Sequence, residues 1–128
     1  MKTKTKKKPK AEQCCKKVIC SPLNDLSNEI LDINIANGWD VTNYQDFNAE
    51  LPQGYKIPAK LALITSEISE ALEAYRKKDR ENFEEEMADA LIRILDTAGG
   101  MGIDMDYAVA KKLEVNRTRG YRHGGKKV

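Results

Sequence analysis

The chain has 128 residues, with 22 Lys and Arg against 20 Asp and Glu, a formal net charge of +2, and three cysteines. That length suits one domain able to bury a core without disulfides or a structural metal. Its apolar runs, such as those at 61–64 and 90–92, fall far short of the roughly 20 residues that span a bilayer, so no transmembrane helix is expected.

No apolar segment of signal-peptide length follows the Lys-rich start, so the expectation is a soluble, cytoplasmic protein with no membrane partner. Residues 1–17 carry eight Lys and one Glu, a local charge of +7 that leaves −5 for the rest. Such a run reads as a solvated arm in preference to a nucleic-acid contact or a nuclear-localisation signal. The expected organisation is an arm at 1–20, a folded body at 21–119 and a tail at 120–128. Cys14, Cys15 and Cys20 all sit in the arm, and the single histidine, His123, lies at the other end of the chain. A zinc site there would lack its fourth ligand, and reduced thiols are the plainer reading.

In chain order, Ser21 and Pro22 predict a helix start, and Leu23, Leu26, Ile30, Ile33 and Ala36 then recur at helical spacing as far as Asn37-Gly38. Residues 39–57 hold Trp39, Asn43, Asn48, Pro52 and Gly54 without periodicity, which predicts a long connection with a short helical turn. Over 58–78, Leu61, Ile64, Ile68, Leu72 and Tyr75 follow steps of three and four, predicting a second helix with one buried stripe. Asp79 caps a third helix over 80–98, whose buried positions are Phe83, Met87, Leu91, Ile94 and Ala98 and whose stop is Gly99-Gly100. Gly102 and Asp104 then mark another end and cap before a fourth helix to about residue 117, with Tyr107, Ala108, Ala110, Lys111, Leu113 and Val115 as its contacts. No segment alternates with period two, so the fold class is all-α.

Glu67 and Glu70 on the second helix, and Glu86 and Asp89 on the third, form two acidic pairs with the same spacing. At 100° per residue each pair lies about 100° to 160° from its own apolar stripe, on a face away from the core. If 77–80 turn an antiparallel hairpin, the pairs fall at matching distances from the turn and converge. Converging carboxylates repel one another, and a divalent cation would remove that cost. All-oxygen ligands suit Mg²⁺ or Mn²⁺ and argue against zinc, and a di-iron bundle would need Glu-x-x-His motifs that are absent. Solvated acids on charged helices, helped by neighbours such as Arg93, remain the plain alternative.

Beyond these pairs, residues 57–126 resemble the MazG-like all-α nucleoside triphosphate pyrophosphohydrolases, in which Glu-x-x-Glu is followed by Glu-x-x-Asp on the next helix. The resemblance rests on Glu67-Ile68-Ser69-Glu70 within 63–72, on Glu86-Met87-Ala88-Asp89 within 85–93, and on Lys112-Leu113-Glu114-Val115-Asn116 followed by Arg119, Tyr121 and His123. It implies a helical hairpin plus flanking helices, a four-helix-bundle-like assembly completed by oligomerisation as a homodimer or homotetramer. It further implies Mg²⁺-dependent hydrolysis of nucleoside triphosphates, deoxynucleotides among them, to a monophosphate and pyrophosphate by metal-activated water. Glu67, Glu70, Glu86 and Asp89 would bind the metal, with one glutamate orienting or deprotonating the water. Lys112 and Asn116 would meet the triphosphate or sugar, with Arg119 and Arg93 as phosphate contacts and Trp39 as a stacking partner for a base. Two departures bear on nucleotide preference: Ser66 stands where many relatives have another Glu, and Arg93 where some have an aromatic. The sequence holds no glycine-rich phosphate loop and no Ser-His or Cys-His pairing, which leaves direct attack by water. The rival readings are a non-catalytic nucleotide-binding or regulatory protein and a helical interaction module that uses its Lys arm.

Overall fold

The computed structural model describes residues 21–119; the Lys-rich arm with its three cysteines, and the segment holding Tyr121 and His123, lie outside the described residues. Four helices make up the fold: α1 (Pro22–Ala36), α2 (Lys56–Lys77), α3 (Arg80–Gly100) and α4 (Met105–Thr118). Two short 3-10 turns, Tyr44–Phe47 and Gln53–Tyr55, interrupt the connection between α1 and α2, where a single turn was expected. No strand occurs among the described residues, and the fold is all-α.

A two-residue link joins α2 to α3. Lys78 takes a left-handed conformation (φ 58°) that ends α2, and its ammonium sits 4.2 Å from the centre of the Tyr75 ring, which helps hold a non-glycine residue there. Asp79 then caps α3 by accepting the Asn82 N–H at 3.1 Å. With so short a link the helices run antiparallel, and they make the most extensive contact in the molecule.

α3 runs two residues past its predicted end at 98, through the predicted stop itself. Gly99 and Gly100 lie inside it because α1 and the following loop come too close for a side chain. A Cβ on Gly99 would meet the Ser27 hydroxyl at 2.2 Å, and one on Gly100 would meet the Thr42 carbonyl at 2.5 Å. The same contact is fastened by polar groups, with Ser27 Oγ donating to the Leu95 carbonyl at 2.6 Å and Thr42 Oγ1 to the Thr97 carbonyl at 3.0 Å. The true stop is Gly102, at φ 70°.

Ser21 precedes α1 as expected but its side chain caps nothing. The cap comes instead from α4: the Asp106 carboxylate accepts the Leu23 and Asn24 N–H groups at 3.1 and 2.9 Å. Asn24 answers by donating to Asp104 and accepting from the Met105 N–H, both at 2.9 Å, so the N-termini of α1 and α4 cap each other.

The predicted buried stripes are only in small part the ones the chain buries, Ile30 on α1 and Ala98 on α3 being buried as expected. On α2 the buried residues are Glu67, Ala71 and Ala74, one position round from the predicted set, and Leu61, Ile68, Leu72 and Tyr75 are exposed. On α3, Met87 and Leu91 are each 47% exposed while Glu86, Ala90, Leu95 and Ala98 are buried. The hairpin closes through its small and acidic residues because alanines allow two helices to approach where leucines would hold them apart. Nor do the expected α4 contacts form a core, since every residue from Tyr107 to Arg119 is exposed.

The reciprocal cap generates a stability prediction. Asp106→Ala leaves two N–H groups of α1 unpaired and should cost about 1–2 kcal/mol, read as a lower denaturant midpoint with unchanged slope. An unchanged midpoint would mean that water caps α1 as well as Asp106 does.

Candidate active site

Lys60, Ile64, Glu67, Ala71 and Ala74 recur along α2 at steps of four and three, and therefore share one face. Glu86, Asp89, Arg93 and Asp96 do the same on α3 at steps of three, four and three. Closing the hairpin puts these faces together and makes a polar seam where a hydrophobic core would ordinarily run.

At the end of the seam nearer the turn, Glu67, Glu70 and Glu86 each bring a carboxylate oxygen within 4.8 Å of the other two. Glu67 and Glu86 are buried between the helices, whereas Glu70 is exposed at the edge. The acid pairs thus do converge, but two of the four belong to the interior and not to an outer face. Asp89 lies half-buried one turn along α3 from Glu86, near enough for its charge to act on Glu86, but outside that set of three.

Crowding shows in the proton affinities. Burial holds the Glu86 carboxyl above its ordinary range, and a hydrogen bond with Glu67 and the negative charges of Glu70, Glu67 and Asp89 push it the same way. Arg93 crosses the seam from α3 and donates from its Nε to Glu67. Ser66, at the position where another acid was noted as common, donates instead to Glu70 at 3.3 Å.

Three carboxylate oxygens within 4.8 Å of one another could hold a hard divalent cation after drawing together, since ligands at about 2.1 Å from Mg²⁺ stand about 3.0 Å apart side by side and about 4.2 Å apart across the ion. The donor set contains no sulfur or nitrogen ligand and suits Mg²⁺ or Mn²⁺ better than zinc.

Further along the seam is a second polar group that sequence reading missed. Asp96, only 4% exposed, accepts from Lys60 Nζ at 2.5 Å and from the Asn34 amide of α1 at 2.8 Å. An acid inside the apolar stretch 94–98 was the available signal, because a buried carboxylate needs partners.

The remaining expected contacts are elsewhere. Lys112, Asn116 and Arg119 lie on or just after α4, exposed, and α4 packs on α1. Lys112 and Asn116 make no side-chain bond to the carboxylates. Trp39 follows α1, 68% exposed, with its N–H bonded to the Asn34 carbonyl.

Residues 57–120 match the family model of the MazG nucleotide pyrophosphohydrolase domain. The chain belongs to the MazG family. The match takes in both acidic pairs, Arg93 and α4, and leaves α1, Trp39 and the connection outside it. No curated protein and no solved structure matches the chain. Membership of this family supports nucleotide pyrophosphohydrolase activity in general, and no helix among the described residues is long and apolar enough to cross a membrane.

The Glu86 environment sets a pH dependence. The folded chain holds this proton more tightly than the unfolded chain does. The stability this contributes is therefore present near and below the ordinary value of 4.5 and is lost as pH rises through the raised one. In chelator-treated protein, Glu86→Gln should raise Tm relative to wild type at neutral pH, with the gap closing as pH falls towards about 4.5. A gap independent of pH would refute this account of Glu86.

Proposed function

We propose that the domain hydrolyses nucleoside triphosphates, deoxynucleotides among them, at the α–β phosphoanhydride to give a monophosphate and pyrophosphate. The observation that carries this is the convergence of three carboxylates from two helices of a MazG domain within 4.8 Å. Glu67, Glu70, Glu86 and Asp89 would hold Mg²⁺, with Mn²⁺ as a substitute. The ion would supply charge neutralisation at phosphate oxygens and a lower pKa for bound water.

The chain's own groups account for the rest of the mechanism. Glu70 is the exposed carboxylate of the cluster and the one best placed to take a proton from an attacking water, with the Ser66 hydroxyl bond fixing its orientation. Arg93, 41% exposed at its side chain, stands beside the cluster where phosphate oxygens would lie. Lys112, Asn116 and Arg119 are the further phosphate and sugar contacts, and Trp39 offers an exposed ring for a base. The division into arm, helical body and tail gives the catalytic part to 21–119.

The apolar stripes of α2 and α3 support self-association. Leu61, Ile68, Leu72, Met87, Leu91 and Ile94 form exposed apolar surface on both helices, of a kind that single-chain proteins ordinarily cover. A second copy of the chain, as a homodimer or a pair of dimers, is the occupant this reading assigns. It also supplies a route by which α4 of a neighbour could bring Lys112 and Asn116 to the carboxylates.

Glu70→Gln and Asp89→Asn should each lower Mg²⁺-dependent pyrophosphate release on the order of 100-fold while the helical circular dichroism is unchanged. Near-wild-type turnover in both, across a panel of canonical and damaged nucleoside triphosphates, would remove the catalytic assignment; nucleotide binding without release would leave a regulatory protein. Leu72→Glu or Leu91→Glu should shift the sedimentation coefficient towards that of one chain. Wild-type protein that already sediments as a monomer at micromolar concentration would dispose of the oligomer.

A further inference from the structure

We infer that Arg93 is an internal counter-cation of the carboxylate cluster, one that weakens the binding of a divalent ion and is released by it to the phosphates. This rests on the metal site proposed above and adds a role for one residue of this chain. Three observations lead to it.

First, Arg93 shares its face of α3 with Glu86 and Asp89, so its stem rises from the helix carrying two acids of the cluster while its Nε–H reaches the acid opposite. Second, that acid is Glu67, which belongs to the set of three within 4.8 Å and is only 7% exposed. A desolvated carboxylate binds a nearby guanidinium more strongly than an exposed one would, so Arg93 occupies a lone pair that a cation needs. Third, the guanidinium is not itself buried: the side chain is 41% exposed, and only Nε is bonded to the protein among the described residues. The Nη groups are left to meet an anion from solvent without leaving the site.

These geometries make Arg93 and a divalent ion rivals for Glu67. While the pair is closed, an ion would meet a ligand with Oε1 already engaged and a fixed positive charge beside it. Once Glu67 turns to the ion, the guanidinium has lost its carboxylate partner and faces the region where phosphate oxygens would enter. The arrangement couples ion loading to triphosphate binding, and the coupling is reciprocal.

The test uses metal-free full-length protein and calorimetric titration with Mn²⁺ and with Mg²⁺, without nucleotide. Arg93→Gln, which keeps a polar side chain but removes the charge, should bind the ion about tenfold more tightly than wild type, and Arg93→Lys should fall near wild type. Arg93→Gln should also melt lower than wild type with chelator and gain more in Tm when the ion is added. Equal or weaker ion affinity in Arg93→Gln overturns the inference while leaving the metal site intact. Failure of wild type and Arg93→Gln alike to bind either ion would instead overturn the metal site, and the inference with it. If Arg93→Gln does not fold, Arg93→Met decides the same comparison.

Discussion

The closeness of α2 and α3 governs this molecule. Ala71 and Ala74 on one helix and Ala90 on the other are buried where the two meet, and side chains that small let the backbones approach. Glu67 and Glu86 stand one turn from these alanines on the same faces, so the contact that closes the hairpin also drives two carboxylates together out of water. Leaving them as free anions there would be costly. The chain lowers that cost in two ways within a few ångströms: Glu86 keeps its proton at pH values where a free carboxyl would lose it, and Arg93 crosses to Glu67. Both are reversible, as the proposed exchange of a cation and a triphosphate would require.

α1 is joined to this hairpin by a set of polar contacts beside its buried Ile30. Ser27 and Thr42 donate to the Leu95 and Thr97 carbonyls in the last turns of α3, each carbonyl having a second lone pair to offer, Asn34 reaches Asp96, and Gly99 and Gly100 clear the space that brings the two close. Together with the mutual capping of α1 and α4, these bonds fix where α1 lies along the seam. The Lys60–Asp96–Asn34 group ties all three helices at one level, one helical turn from Arg93. A buried ion pair of this kind contributes more to a defined arrangement than to net stability. In this fold the arrangement it defines is the register of α1 against the acids.

The helices and the turn were legible because local rules settle them. Pro22, the Asp79 and Asp104 caps and the three-four spacing of apolar residues each act within a turn or two of chain. Convergence of Glu67, Glu70 and Glu86 could also be read, since it follows from spacing once an antiparallel hairpin is granted. What could not be read depends on rotation and on distant partners. Moving the contact face by one residue, about 100°, exchanges Ile68 and Leu72 for Glu67 and Ala71, and periodicity alone favours the leucines because it scores hydrophobicity and not closeness of approach. Gly99-Gly100 reads as a helix stop for a similar reason: nothing local announces that Ser27 and Thr42 will press against it. Asp106 caps a helix some eighty residues away, and no short-range signal marks such a pair.

The misread face states the problem that this architecture has to solve. A helical hairpin has one inner seam, and here that seam is given to acids, an arginine and alanines. The large apolar side chains must then lie outside it. Leu95 is the only large side chain fully buried among the described residues, whereas each leucine, isoleucine or methionine on the outer stripes would contribute roughly 1.5–3 kcal/mol if covered. A single copy therefore combines a crowded electrostatic interior with an uncovered apolar exterior, and both count against its stability for the same geometrical reason. Repacking the seam with apolar side chains would relieve the first and destroy the site. The acids can remain inside only if burial is recovered elsewhere, which makes the surface chemistry of α2 and α3 a consequence of what their inner faces hold.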